Sequence, residues 1–273
     1  MTALNGPLTS KHKKLKEILK RYGDLLVAYS GGVDSSFLLK IAHDVLGDKV
    51  MAVIAMSETY TKEEGKEAEI FAKGLGARYK IIRTEEFNDE RFIINPPERC
   101  YFCKKELFTK LVSIAKKEGI KNVADGSNVS DLSDYRPGTN ASKELGIKSP
   151  LKEAGLTKED IRELSKRLKL STWDKPALAC LASRVPYGTR ITKKILDRIA
   201  KGEKYLHELG FKQVRVRHHD NLVRIEVEKS DLVPLIEHGL ADKIDRKFRD
   251  IGYTFVTIDV GGYRTGSMNE VIR

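Results

Sequence analysis

The sequence predicts an α/β protein with a doubly wound parallel sheet, followed by a second, smaller α+β domain. Short apolar runs alternate with segments of helical periodicity, a pattern typical of parallel strands joined by crossover helices. These runs lie at residues 25–29, 50–55, 79–82 and 122–124. Further along, alternating apolar and polar residues at 214–227 predict an antiparallel hairpin. We therefore expect two domains, at residues 1–188 and 189–273.

Each helix is predicted from apolar residues that recur every three or four positions. In the first helix, Ser10 is a candidate cap and Gly23 ends the pattern. The other predicted helices lie at about residues 37–46, 61–75, 101–117, 157–170 and 192–209, with two short ones before a strand at 255–258. Two polar, irregular stretches, 125–150 and 171–190, are candidate parts of the site.

Composition narrows the class of protein. The chain has 273 residues, 40% of them hydrophobic, enough for one sizeable core and a smaller second unit. Because no run of about 18 apolar residues occurs, neither secretion nor membrane spanning is expected. Three cysteines cannot close into a disulfide framework, and their odd number favours a reducing compartment, the cytoplasm.

The net charge has two interpretations. A formal charge of +11 favours anionic partners such as nucleotides, pyrophosphate or RNA. It is also typical of the solvated, lysine- and glutamate-rich surface of heat-adapted proteins. The charge is spread along the chain and not gathered in one block, so both interpretations stay open.

A glycine turn joins the first predicted strand to the next helix. Backbone N–H groups at a helix start suit a pyrophosphate, and glycines let phosphate approach the backbone. Hydroxyls would add donors, and Asp34 could hold Mg²⁺ between phosphate oxygens. The lysine of the Walker pattern is absent, which disfavours that type of γ-phosphoryl transfer. The turn reads Ser30, Gly31, Gly32, Val33, Asp34, Ser35 and Ser36.

The segment SGGVDS resembles the PP-loop of the ATP pyrophosphatase superfamily, whose fold is adenine nucleotide alpha hydrolase-like. The resemblance implies that the loop binds the β- and γ-phosphates of ATP and that the α-phosphorus is attacked, with release of pyrophosphate. Asp125-Gly126-Ser127-Asn128 resembles the superfamily's second signature, G-T-N, with serine in place of threonine. Gly126 and Ser127 are thereby implied to contact the nucleotide; without the first motif, an ordinary turn is the alternative.

The cysteines form a second candidate constellation. Cys100 and Cys103 lie three apart at a predicted helix start, so both thiols could face one side, where helix N–H groups favour the thiolate. Should Cys180 join them, three thiolates could hold a [4Fe–4S] cluster and leave one iron open. Zinc with a histidine as fourth ligand is one alternative. Two helix cysteines and an unrelated buried thiol are another.

Four segments together resemble the LarE family of ATP-dependent sulfur transferases, which makes the nickel-pincer cofactor, a pyridinium mononucleotide bearing two thiocarboxylates. The segments are SGGVDSSFL, PERCYFCKKELF, DGSN and CLASRVPYGTRIT. The resemblance implies that a substrate carboxylate attacks ATP, pyrophosphate leaves, and sulfur displaces AMP. Some members sacrifice the sulfur of the cysteine matching Cys180, whereas three-cysteine members bind a [4Fe–4S] cluster, the route expected here. A homohexamer is also implied.

Several arginines are further candidates. Arg184 looks like a family position near the sulfur site and, with Cys180 and Asp34, completes the predicted catalytic set. Its alternative is a surface arginine. A clamp for the mononucleotide phosphate is predicted from Arg215, Arg217 and Arg264, although an exposed strand face would also explain the first two.

Two other functions remain open. A tRNA thiolase would account for the positive charge, but the sequence shows no zinc-knuckle pattern or separate RNA module, which argues against a nucleic-acid partner. A carrier of an iron–sulfur cluster or metal, with ATP only as a switch, would turn over no ATP to AMP. An amidating ligase would share the loop but should survive Cys180→Ala.

Overall fold

The computed structural model describes residues 6–133, 137–176, 179–237 and 239–272. The chain divides into two compact units. The first contains Met1–Asp89 and Glu98–Leu178, and the second contains Glu90–Pro97 and Ala179–Arg273. The boundary predicted after residue 188 falls inside the second unit.

Backbone and side-chain hydrogen bonds explain why residues 90–97 group with the second unit. The Asn95 amide donates to the carbonyls of Val185 and Pro186, at 3.3 and 2.7 Å. In return, the Gly188 N–H donates to the Asn95 carbonyl at 2.9 Å. Asn95 is fully buried and has a positive φ of 57°, a conformation that asparagine tolerates better than most residues.

Helices and strands alternate through the first unit and recur in the second. The helices are α1 Pro7–Tyr22, α2 Val33–Leu46, α3 Lys62–Gly74, α4 Glu90–Ile93, α5 Arg99–Lys117, α6 Gly138–Glu144, α7 Pro150–Glu153, α8 Lys158–Arg167, α9 Lys193–Glu208, α10 Leu232–Ile236 and α11 Leu240–Ile251. The strands are β1 Leu25–Ala28, β2 Val50–Met56, β3 Arg78–Arg83, β4 Val123–Ala124, β5 Val214–His219, β6 Leu222–Val227 and β7 Phe255–Ile258. Single 3₁₀ turns lie at Gly47–Lys49, Glu86–Asn88, Val129–Ser133, Leu181–Arg184, Lys229–Asp231 and Ser267–Ile272.

The first unit is built on a parallel sheet with the strand order β3-β2-β1-β4. Its central strand β1 is apolar, and Leu25, Leu26 and Val27 are fully buried, as a strand covered on both faces requires. The predicted α/β class with a parallel sheet is confirmed. Because β1 and β4 are parallel neighbours, the loops that follow them leave the same edge of the sheet. Both nucleotide signatures lie on these two loops.

Element boundaries differ from the sequence prediction in two places. Helix α1 begins at Pro7 and not after Ser10, because proline fits the first turn of a helix, where no backbone N–H partner is needed. The stretch 125–150, expected as one loop, contains α6, and α7 begins at its last residue, Pro150. Helix α6 carries the polar sequence GTNASKE and buries only small residues, so it has no apolar periodicity to reveal it.

The second unit is a small α+β fold, as predicted. Strands β5 and β6 form the expected antiparallel hairpin, and β7 adds to β6 in parallel. The hairpin turns at Asp220, whose φ of 54° is one that aspartate tolerates. Phe248 on α11 packs closely against Gly202 on α9, where an added Cβ would lie 2.7 Å from the ring. No helix in the described part of the chain is long and apolar enough to cross a membrane.

Candidate active site

The glycine turn between β1 and α2 has the backbone shape that the sequence predicts. Gly31 has a φ of 72°, and a Cβ there would lie 3.0 Å from the Ala68 Cβ on α3. Gly32 is extended, with φ −80° and ψ 169°, and caps α2 without a side-chain hydrogen bond. The first N–H groups of α2 therefore meet no capping side chain at Gly32, which leaves the positive end of the helix for an anion.

The three serines of this loop have different surroundings. Ser30 is exposed, and its hydroxyl lies 3.1 Å from that of Ser35, which donates to the Gly32 carbonyl at 3.2 Å. The Ser36 hydroxyl is fully buried, 3.2 Å from the hydroxyl of Tyr29, and burial raises the pKa of Tyr29 to about 12. Ser30 is therefore accessible, Ser35 is buried beside it, and Ser36 contacts Tyr29 in the core.

The second signature touches the first directly. A Cβ on Gly126 would lie 3.0 Å from the backbone nitrogen of Ser35 and 3.2 Å from its Cα, so only glycine allows this approach. Asp125 is buried and fixes the turn by accepting hydrogen bonds from the Ser127 N–H, the Ser127 hydroxyl and the Ser149 hydroxyl, at 3.1, 2.8 and 2.9 Å. Gly126 is thereby brought to the phosphate loop, and the Ser127 hydroxyl is held by Asp125.

This contact makes a testable prediction for Gly126. Gly126→Ala is expected to force the two backbones apart, at a cost of about 1–3 kcal/mol, and to slow AMP formation from ATP. Gly74→Ala is the matched control, because a Cβ at this position of α3 meets nothing within 4 Å. Thermal unfolding and AMP release should be measured on both. Equal thermal stability and equal AMP release in the two variants would contradict the close approach of Gly126 to Ser35.

The carboxylate of Asp34 lies between the two loops. Its Oδ1 accepts a hydrogen bond from the buried Asn128 amide at 3.3 Å, and its Oδ2 accepts one from the Lys158 ammonium at 2.5 Å. Asn128 is itself fixed, since its side-chain oxygen accepts from the Ser130 N–H at 2.9 Å. A half-buried carboxylate at the phosphate loop fits a Mg²⁺ ligand that reaches phosphate oxygens.

Sequence reasoning missed two lysines at this loop. Lys158 is the first residue of α8, and Lys175 lies 3.4 Å from the Gly31 carbonyl and 2.7 Å from the Glu67 carboxylate. The Arg162 guanidinium donates to the Trp173 and Lys175 carbonyls and so anchors the backbone that carries Lys175. No sequence signal singled out Lys158, because α3 and α9 also begin with lysine.

The predicted cysteine pair lies at a helix start, as expected. Cys100 is the second residue of α5, and Cys103 follows three positions later on the same helix. Both are partly buried thiols, and so is Cys180, which belongs to the second unit and directly precedes a 3₁₀ turn. Within the described residues of either unit, no three His, Cys, Asp or Glu side chains gather as metal ligands.

Arg184 is buried and fixes the turn that carries Cys180. It pairs with both carboxylate oxygens of Glu203 at 2.9 Å and donates to the Ala179 and Cys180 carbonyls at 2.5 and 3.0 Å. Burial alone would raise the pKa of Glu203, but the charge and hydrogen bonds of Arg184 outweigh it and lower that pKa. The surface-arginine alternative is therefore wrong, and Arg184 positions the Cys180 backbone.

The three arginines of the predicted phosphate clamp differ in how their charge is balanced. Arg217 is buried and pairs with both carboxylate oxygens of Glu226, at 3.0 and 2.7 Å. Arg215 is also buried, with its guanidinium over the Tyr263 ring, and burial together with the charge of Arg184 lowers its pKa. The Arg264 side chain is 40% exposed. The exposed-face alternative for Arg215 and Arg217 is wrong.

Comparisons with known proteins extend these observations to the whole chain. Residues 9–91 match the NAD synthase family, and this range includes the phosphate loop. An uncharacterised protein of Synechocystis sp. is 40% identical, over 97% of this chain and 99% of its own length. The pyridinium-3,5-bisthiocarboxylic acid mononucleotide synthase of Lactiplantibacillus plantarum is 39% identical, over 97% of this chain and 96% of its own.

The chain belongs to the LarE family. An uncharacterised protein of Methanocaldococcus jannaschii is also similar, 32% identical over 92% of this chain. In this member of the LarE family, the match to the synthase includes both units, because it covers nearly the full length of each chain. The family resemblance that four sequence segments carry is confirmed.

Proposed function

We propose that this chain is an ATP-dependent, AMP-forming sulfurtransferase that converts a carboxylate of a pyridinium dicarboxylate mononucleotide into a thiocarboxylate in nickel-pincer cofactor synthesis. The main support for the proposal is the position of Asp34, a residue of the phosphate loop whose carboxylate contacts Asn128 of the second signature. Similarity over nearly the whole chain to a synthase named for a bisthiocarboxylic acid mononucleotide supports the substrate class.

In the proposed adenylation, the backbone of the phosphate loop binds the β- and γ-phosphates. Gly31 and Gly32 admit the phosphates, and the hydroxyls of Ser30 and Ser35 donate to them. Asp34 would hold Mg²⁺, which neutralises charge on the leaving pyrophosphate. Gly126 and Ser127 face the nucleotide from the adjacent loop. We assign Ser36 to packing, because its buried hydroxyl contacts Tyr29.

For sulfur delivery, we propose that Cys100, Cys103 and Cys180 together hold a [4Fe–4S] cluster, which would supply the sulfur when bound. The presence of all three as thiols and the helix start at Cys100 support this assignment. Zinc is the alternative metal, and direct loss of the Cys180 sulfur is the alternative donor. Arg184 would hold the Cys180 carbonyl while the reaction proceeds.

For the substrate phosphate, we propose Arg264 as the contacting residue of the predicted clamp. It pairs with Asp259 and Glu270, at 3.4 and 3.3 Å, but its side chain is the most accessible of the three, whereas Arg217 is paired with the buried Glu226. The positive charges of Arg215 and Arg217 would then attract the substrate phosphate without contacting it. The small second unit is proposed to bind substrate and to form the contacts of a homohexamer, and the odd cysteine count supports a cytoplasmic protein.

The test supplies anaerobic protein with ATP, Mg²⁺, sulfide and the dicarboxylate mononucleotide. We expect AMP, pyrophosphate and thiocarboxylate, identified by mass spectrometry, and iron and labile sulfide in the purified protein. ADP as the sole nucleotide product would overturn the proposal.

A tRNA thiolase is the second candidate, favoured by the net charge of +11. Tight tRNA binding that weakens steeply with salt, together with transfer of sulfur to tRNA, would replace the first proposal by this one. A cluster carrier predicts instead that no acceptor produces AMP.

A further inference from the structure

We propose that Lys158 exchanges partners during catalysis. In the nucleotide-free protein it neutralises Asp34, and on arrival of Mg²⁺ with the triphosphate it passes to the β-phosphate that leaves as pyrophosphate. This inference rests on the proposed adenylation and adds a residue to it. Lys158 belongs to neither predicted signature, and its contact with Asp34 joins α8 to the phosphate loop.

The start of α8 does not itself require Lys158. It is the first residue of α8, where the helix dipole favours anions and repels cations. Thr157 and Asp160 already form a full capping box there, so the lysine adds no cap. Its side chain and that of Asp34 are 27% and 23% exposed, and ion pairs with such access to water contribute little to stability.

Two helix starts meet at this ion pair. Asp34 lies in the first turn of α2 and Lys158 is the first residue of α8, so their ion pair joins the two helix starts. The Ser130 hydroxyl accepts from the Lys158 N–H at 3.0 Å and fixes the start of α8. The N–H groups at the start of α8 are thereby occupied, and the ammonium group together with the uncapped start of α2 suits a polyanion better than a single carboxylate does.

Charge balance gives the exchange its direction. Each Asp34 oxygen accepts one hydrogen bond, from Asn128 or from Lys158, and keeps a lone pair for Mg²⁺, but a divalent cation bound there would repel the neighbouring Lys158 ammonium. When the carboxylate turns to the metal, the ammonium loses its counter-ion beside phosphate oxygens. Breaking the bond between the α- and β-phosphates then places additional negative charge on the β-phosphate, and a released lysine can donate to it. Nothing covalent forms on Lys158.

The exchange predicts that replacing Lys158 weakens binding of the triphosphate but not binding of AMP. Calorimetry would compare AMP with α,β-methylene ATP, an analogue that cannot break between these phosphates, at saturating Mg²⁺. Lys158→Met should weaken the analogue roughly tenfold to a hundredfold, the range expected for a charge-assisted hydrogen bond, and leave AMP affinity unchanged. Lys158→Arg should restore part of the loss, and the exposed Lys143→Met is the control. An equal loss for AMP and analogue would indicate a structural role and overturn the proposal.

A second measurement tests the competition itself. In EDTA, Asp34→Asn should bind inorganic pyrophosphate more tightly than wild type, because Lys158 is no longer held by a carboxylate. The double variant Asp34→Asn with Lys158→Met should lose this gain. If Asp34→Asn binds metal-free pyrophosphate no better than wild type, the exchange is wrong, and the proposed adenylation is then judged by its own assay of AMP formation. Failure of wild type to bind the analogue overturns both.

Discussion

Replacing Cys180 with alanine is expected to abolish thiocarboxylate formation while AMP release from ATP continues. Alanine removes the sulfur but keeps the carbonyl that accepts from Arg184, so the local turn should persist. None of the hydrogen bonds described at the phosphate loop involves Cys180, which lies in the other unit. Product analysis by mass spectrometry, with AMP and pyrophosphate quantified in parallel, measures both steps.

The same experiment on Cys100 and Cys103 distinguishes the two possible sulfur donors, the cluster and the Cys180 side chain. If a cluster supplies the sulfur, Cys100→Ala and Cys103→Ala should each lose iron and thiocarboxylate. If Cys180 gives up its own sulfur, both variants should keep a single turnover and Cys180 should lose the mass of hydrogen sulfide. Thiocarboxylate formation by Cys180→Ala would refute every scheme in which this thiol takes part.

The sheet and the phosphate loop could be predicted because local sequence determines them. Apolar runs as short as Leu25–Ala28, bounded by glycines, are typical of a buried parallel strand, and two glycines followed by a helix start favour one backbone shape. The second signature was also found from sequence. Its closeness to Ser35 follows from the parallel pairing of β1 with β4, which places both loops at one edge of the sheet.

Roles that depend on distant partners could not be predicted. Lys158 lies 124 positions from Asp34, and a charged residue at a helix start carries no pattern that names its partner. Arg217 had the right residue type for a phosphate, but its sequence could not show that it pairs with Glu226, which lies diagonally across the hairpin. Short-range patterns therefore gave the backbone, whereas the pairing of charges required the tertiary fold.

Removing the carboxylate of Glu203 is expected to destabilise the second unit strongly. Glu203→Ala leaves the buried Arg184 guanidinium without its counter-ion and the Val216 N–H without its acceptor. Breaking a buried ion pair from one side costs about 3–5 kcal/mol. Glu208→Ala, an exposed position on the same helix, should change stability by less than about 0.5 kcal/mol. Urea unfolding monitored by circular dichroism measures both variants.

Replacing both Arg184 and Glu203 tests whether the ion pair serves stability, sulfur transfer or both. If burial of the unpaired charge causes the loss, Arg184→Met together with Glu203→Leu should recover most of the stability, since an apolar pair of similar volume needs no counter-ion. Sulfur transfer should nevertheless remain impaired, because methionine cannot donate to the Cys180 carbonyl. Recovery of both stability and thiocarboxylate formation would show that the Cys180 turn needs no arginine. A stable Glu203→Ala would show that water or another group already balances Arg184.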